Sequence, residues 1–251
     1  MGWLEGDVWR WVLAWKRVLN MEESREEESM YSILQQHSPT NAGRDQLAWD
    51  LSNNFTVKSL YSKAVTQMGS GGTVDRLVCS VWQNLVPPKV ELMVWLALLG
   101  KLNTKDNLLR KGIIHTDLNQ CTFCQNHGED IDHLLVSCSV AWSVWQHIAE
   151  EMGEKITHEG TLRSLYTSWT SKRLPNKTRR KLWLSSFFAT LWSLWMHRNG
   201  IIFKQRELDV QALCHLIKWR VTSWSKAWKE KIPYSAEMLV QNFQAIPVLF
   251  K

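Results

Sequence analysis

With 251 residues, 45% of them apolar, and 16 tryptophans against 12 glycines and 6 prolines, the chain has the material for a packed core and is not disordered over most of its length. Its formal charge of +6 is unevenly spread: residues 1–50 hold 5 Lys/Arg against 9 Asp/Glu, residues 51–150 hold 8 against 8, and residues 151–251 hold 17 against 7. A basic surplus confined to the final third favours polyanions, nucleic acid first, although Lys and Arg also solvate outer helix faces.

The opening MGWLEGDVWRW places acidic residues where a secretory signal needs a basic start and an apolar run, and Gly6 stands where a myristoylation signal needs Ser or Thr. From Asp7 to about Asn20, Val8, Trp11, Val12, Trp15 and Val18 or Leu19 recur at helical spacing, which predicts an amphipathic helix. The acidic run Glu22 to Glu28 leads into Met30, Ile33 and Leu34, a second helix with negative charge favouring its N-terminal end. Pro39 and Gly43 close it. Leu47, Trp49 and Leu51 alternate with polar residues, so a minor β element is expected near residues 47–57, followed by a helix capped by Thr56. The tract Gly69-Ser70-Gly71-Gly72 is a linker, because no G-K-[ST] follows to make it a phosphate loop.

Leu77, Val81, Trp82 and Leu85 predict a helix that stops before Pro87-Pro88. Another is expected from about Lys89 to Leu99, with Val90, Met93, Val94 and Ala97 on its apolar face and Gly100 at its end. A third opens near Asn103 or Thr104. The final third is read as helical: Lys177 to about Phe203 carries Trp183, Phe187, Leu191 and Leu194 or Trp195 on one stripe, and Leu208 to Trp228 carries Leu213, Ile217, Val221, Trp224 and Trp228. Its longest apolar run, Leu182 to Met196, is fifteen residues broken by Ser and Thr, too short to span a bilayer. Off the stripes lie basic residues, of which Lys177, Arg179, Arg180, Lys181, Lys218, Arg220, Lys226 and Lys229 are the candidate nucleic-acid contacts. Trp219, also off the stripe, is the tryptophan to test for stacking on bases.

Chemistry concentrates in CTFCQNHGEDIDHLLVSC, where Cys121, Cys124, His133 and Cys138 read C-x2-C-x8-H-x4-C. Zinc takes four such ligands in a tetrahedron, and a close Cys pair turns both thiolates toward one ion. His133 and Cys138 lie within about one and a half turns of a helix. His127 and His115 stand near enough in sequence to replace His133. A Cys3His set leaves no open position, which points to a structural Zn2+ rather than a catalytic one. With no secretory signal and a metal-type cysteine cluster, an intracellular reducing compartment, nucleus or cytoplasm, is expected, with Cys79 and Cys214 as buried or free thiols.

The ordered words FTVKSLY (Phe55 to Tyr61), Trp82, PPKV (Pro87 to Val90), WLALLGKLNTKDNLLRKGI (Trp95 to Ile113), C-x-x-C, E-x-x-x-H-L-L-x-x-C (Glu129 to Cys138) and A-W-x-V-W (Ala141 to Trp145) resemble the zinc-binding domain that follows reverse transcriptase in plant non-LTR (LINE-type) retrotransposons. LWSLWMHRNGIIF (Leu191 to Phe203) is similar to the segment that often follows it. The resemblance implies Cys121, Cys124, His133 and Cys138 as the ligands. It also sets off what is missing, since the sequence has no Asp-Asp pair for polymerase metals, no strand-like cluster of carboxylates for RNase H, no G-x-S-x-G and no H-E-x-x-H.

The expected architecture is mainly α: an N-terminal helical segment over residues 1–44, a helical zinc-binding domain with a minor β-hairpin and a CCHC knuckle-like site over residues 45–146, and a basic, Trp-rich helical region over residues 147–251. The expected role is a non-catalytic, zinc-binding accessory module that holds RNA or an RNA–DNA hybrid. The second class is a protein-interaction module or a retrotransposon relic. Neither a membrane nor a small-molecule substrate is expected as a partner.

Overall fold

The structure is a computed structural model that describes residues 2–5, 8–15, 17–36, 56, 59 and 75–251. The chain divides into two compact units, Met1–Gly72 and Thr73–Lys251.

In the first unit the expected helix over residues 7–20 is replaced by an antiparallel hairpin of β1 (Gly2–Glu5) and β2 (Val8–Trp11), with Gly2 opposite Trp11 and Glu5 opposite Val8. Val and Trp favour extended backbone, and in a strand Trp9 and Trp11 fall on one face, where their rings meet edge to face at 5.6 Å. The helical period of Trp11 and Trp15 is thus overruled by strand pairing. The acidic segment forms α1 (Met21–Leu34), opened by a reciprocal capping box between Asn20 and Glu23. Trp11 Nε1 donates to Leu34 O at 2.9 Å and Leu13 N to the Tyr31 hydroxyl at 3.2 Å, tying the hairpin strand to this helix. The β element expected over residues 47–57 lies outside the described residues except for Thr56, whose hydroxyl accepts from Ser59 N at 3.0 Å in the manner of a helix cap.

The second unit is helical, and the fold class is mainly α as the sequence indicates. Asp75 caps α2 (Arg76–Cys79), which is shorter than the helix expected to reach Leu85. The buried Glu91 carboxylate explains the early stop. It accepts from Gln83 N at 3.1 Å and Asn84 N at 2.7 Å, holding Asn84 in the left-handed region and leaving Trp82 exposed. Next come α3 (Pro88–Leu98), ended by Gly100 at φ +69°, and α4 (Lys105–Arg110), capped by Thr104. Past the metal-ligand segment run α5 (Ser139–Glu151), α6 (Leu162–Ser171), α7 (Lys177–Lys204), α8 (Val210–Ser225), α9 (Ala236–Gln241) and α10 (Ile246–Leu249).

The axis of this unit is α7. Every residue from Leu182 to Leu191 is buried, so the helix is enclosed on all sides there rather than along one stripe, by α3, α5, α6 and α8. Trp169 of α6 and Trp183 of α7 stack at 3.9 Å with 6° between planes, and each indole N–H donates to the other residue's carbonyl at 2.9 Å. Phe187, Trp145 and Tyr166 close around that pair. No helix among the described residues is long and apolar enough to cross a membrane.

A Schellman turn ends α5. Gly153 N donates to Glu150 O and Glu154 N to Ala149 O, both at 2.9 Å, with Gly153 at φ +72°. A Cβ there would meet Pro247 Cγ at 2.8 Å. Gly153→Ala is therefore expected to destabilise the unit by at least about 1–2 kcal/mol from the left-handed backbone alone, read as a lowered midpoint in urea unfolding with unchanged slope.

Candidate metal centre

Two short pieces of chain bring the four candidate ligands together. In the first, Cys121 to Cys124 is a tight turn closed by Gln125 N donating to Cys121 O at 2.9 Å, with Gln125 left-handed at φ +57°. The chain then doubles back, so that Cys121 N donates to His127 O at 2.7 Å and Gln120 bridges antiparallel to Gly128.

The second piece solves a spacing problem. On an unbroken α-helix, residues five apart diverge by about 140°, and His133 and Cys138 would point away from each other. Here the helix starts at Ile131, with Asp130 Oδ1 accepting from His133 N at 2.8 Å, and widens at once into a π-turn over His133–Ser137. Cys138 N donates to His133 O at 2.7 Å, an i to i+5 bond. Cys138 itself has φ −59° and ψ 131°, outside helical space, and is the N-cap of α5. The wider turn and the break set both side chains on one side. Trp145 Nε1 donates to Leu135 O at 2.7 Å, giving a partner to a carbonyl of this irregular turn.

The ligand atoms of Cys121, Cys124, His133 and Cys138 all lie within 4.8 Å of one another. Cys121 Sγ is 3.9 Å from Cys138 Sγ, and Cys124 Sγ is 3.2 Å from His133 Nε2. Tetrahedral zinc, at about 2.3 Å to sulfur and about 2.0 Å to nitrogen, implies edges of about 3.8 Å and about 3.5 Å for such pairs. The donor set and spacing therefore fit zinc. Cys121 and Cys138 are buried, while Cys124 and His133 are partly exposed, which leaves an entry side.

Electrostatics prepares the donors. The hydrogen bond between Cys121 and Cys138 and then burial raise the Cys121 thiol far above its ordinary value, while the same hydrogen bond lowers Cys138. A metal ligand must be a thiolate, so uptake of an ion would be accompanied by proton release. Backbone N–H groups of Phe123 and Cys124 face the Cys121 sulfur, and those of Val140 and Ala141 face Cys138 at the start of α5, where a thiolate is favoured. Burial, and then the neighbouring His127, lower His133, keeping its imidazole neutral as a ligand must be. His127 is exposed, with its ring 5.0 Å from that of His133, and contributes its carbonyl rather than its ring. His115 is exposed and takes no part in the cluster.

Residues 55–145 match the family described as zinc-binding in reverse transcriptase. This segment is a reverse-transcriptase-type zinc-binding domain. No curated protein and no solved structure matches the chain.

What holds the zinc-binding domain's Cys-x-x-Cys turn in place is a residue pair outside the four-ligand pattern, Glu129 and Arg198. Glu129, fully buried, accepts through Oε2 from Thr122 N at 3.0 Å and from the Thr122 hydroxyl, and through Oε1 from Lys105 N at 3.1 Å. Its Oε1 also receives Arg198 Nη2 at 2.5 Å and Nε at 3.1 Å. Burial alone would raise Glu129, but the guanidinium, the Thr122 hydroxyl and the Lys105 N–H outweigh it and hold the carboxyl below its ordinary value. The sequence signal was the isolated charge of Arg198 within the apolar run from Leu191 to Phe203.

The eight basic candidates are not gathered into one free stripe. Lys177 and Lys181 share Glu230 at 3.4 and 2.5 Å, Arg179 pairs with Glu154 at 2.7 Å, and Lys218 pairs with Glu151 at 2.9 Å. Arg180 donates to Lys172 O and Lys226 to Tyr234 O. Arg220 donates to the Ser193 hydroxyl, and Lys229 is exposed.

Leaving a buried charge without its partner costs about 3–5 kcal/mol. Glu129→Gln and Arg198→Met are each expected to destabilise the protein on that scale, with the double variant losing less than the sum. Groups that orient a metal site also carry about 10- to 100-fold in metal affinity. Glu129→Gln should therefore release zinc to a competing chromophoric chelator at correspondingly lower chelator concentration.

Proposed function

We propose that the chain is a zinc-stapled accessory module that holds RNA or an RNA–DNA hybrid for a polymerase activity located elsewhere. Zn2+ bound by Cys121, Cys124, His133 and Cys138 would neutralise the thiolates and lock the Cys-x-x-Cys turn to the π-turn. The observation that carries this reading is the closure of the site: four protein donors within 4.8 Å fill a tetrahedron and leave no position for substrate or activated water. The metal is accordingly structural, and the reading assigns the chain no catalytic step of its own.

Two further facts support nucleic acid as the partner. The family description attaches the domain to reverse transcriptase. Residues 151–251 hold 17 Lys/Arg against 7 Asp/Glu, and this surplus survives after the ion pairs are made. A second reading, a protein-interaction module, is favoured by the internal pairing of Lys177, Arg179, Lys181 and Lys218, which leaves less free charge than the sequence suggests.

Protein purified without added metal is expected to contain one zinc per chain, lost in Cys121→Ser/Cys124→Ser. Zinc-loaded protein should bind single-stranded RNA with little sequence preference, the logarithm of affinity falling linearly with the logarithm of salt concentration. Affinity independent of salt, or no binding at physiological salt by a zinc-loaded chain, would give the interaction reading the field.

A further inference from the structure

Between the C-terminal part of α7 and the facing side of α8 lies a cavity of about 210 Å³. Its wall carries Lys204, Arg206 and Arg220 and no carboxylate. None of these three cations has an ion-pair partner among the described residues, in contrast to the paired Lys177, Arg179, Lys181 and Lys218. Arg220 is the most costly of them: it is half-buried, its one acceptor among the described residues is the Ser193 hydroxyl, and burial alone lowers its pKa. His197 on the same wall has a buried Nε2 without a partner. Of the acidic residues just beyond the wall, Glu207 meets His197 through its backbone, and Asp209 is engaged as the cap of α8, accepting from Ala212 N at 2.9 Å.

A partly desolvated guanidinium with a neutral hydroxyl as partner and no countercharge is unfavourable, and an anion in the cavity would supply that countercharge. Size narrows the class. Pockets for drug-sized molecules run to about 300–1,000 Å³, so this one has room for a phosphate group and a few waters rather than for a whole nucleotide. Phe203, also on the wall, is 75% exposed, a flat apolar ring beside the cations. Alternating cations and an exposed aromatic are what single strands use, phosphate on the one and base on the other.

We propose that this cavity is a phosphate-binding subsite, filled by one backbone phosphodiester of a single-stranded nucleic acid whose adjacent base stacks on Phe203. The phosphate chemistry stands on the cavity itself, whereas the choice of nucleic acid as its source rests on the function proposed above.

The test uses the full zinc-loaded chain, titrated with a fluorescent twelve-nucleotide oligouridylate across salt, and separately with inorganic phosphate followed by phosphorus NMR. The variants are Arg206→Gln and Phe203→Ser, both at exposed positions, Arg220→Met with its thermal melt checked, and Lys101→Gln as a control outside the cavity. Arg206→Gln and Arg220→Met should each weaken the oligonucleotide several-fold and reduce the salt slope by about 0.7, the contribution of one phosphate on a single strand. Phe203→Ser should weaken it about tenfold with the slope unchanged, and Lys101→Gln should leave both oligonucleotide and phosphate binding intact. Oligonucleotide binding by the wild type that none of the three cavity variants alters overturns the subsite while leaving the proposed function standing. A wild type that ignores the oligonucleotide but binds inorganic phosphate, with binding lost in Arg206→Gln, overturns the nucleic-acid source and assigns the cavity to free phosphate. Binding of neither overturns both.

Discussion

The buried Glu129–Arg198 pair is the constraint around which the metal centre is organised. One carboxylate holds the Thr122 amide and hydroxyl inside the Cys-x-x-Cys turn, the first amide of α4 at Lys105, and the guanidinium of α7. Three segments far apart in sequence therefore meet at two oxygen atoms, and none can shift without exposing a buried charge. A metal bound there would act on a loop whose position is already set from the inside. Arg198 also lies 5.0 Å from the Trp195 ring, so the cation is covered by its own helix as well as paired across the fold.

This pair explains why residues 75–145, the described part of the second unit that falls within the match over residues 55–145, do not stand by themselves in the structure. Its carboxylate finds its countercharge on α7, and Trp228, beyond α8, donates to Leu85 O at 2.8 Å. Thr73–Lys251 accordingly packs as one compact unit. Such polar bonds between distant segments are weak evidence for stability, but fully satisfied they specify one arrangement over its competitors.

How much of this was legible varies with the physics involved. The helices α3, α4, α7 and α8 were readable because apolar period, caps and glycine stops agree, as at Thr104 and Gly100. The cluster of Cys121, Cys124, His133 and Cys138 was readable because metal chemistry restricts residue type and spacing together. The first twenty residues were not, because Val and Trp fit both a helical stripe and a strand face, and pairing with Gly2–Glu5 decides between them. The early end of α2 was hidden too: it depends on Glu91 capturing two amides seven and eight residues before it, a contact with no periodic signature. The π-turn belongs with these. The spacing of His133 and Cys138 demands that the helix deviate, yet only the bond between Cys138 N and His133 O shows which deviation occurs.

Charge was the least legible property of all. A sequence counts cations, but a polyanion responds to those that remain unpaired, and folding removes many of them from that account. Glu151, Glu154 and Glu230 neutralise cations on α7 and α8 that the helical wheel places on an outer face. Arg220, by contrast, sits half-buried at a wall without carboxylates, where reduced solvent screening makes its field stronger per charge than that of an exposed lysine. Arg206 and Lys204 add to that field from just beyond the end of the apolar core of α7. The electrostatic character of this protein therefore depends on where the fold leaves cations unpaired as well as on how many the sequence holds.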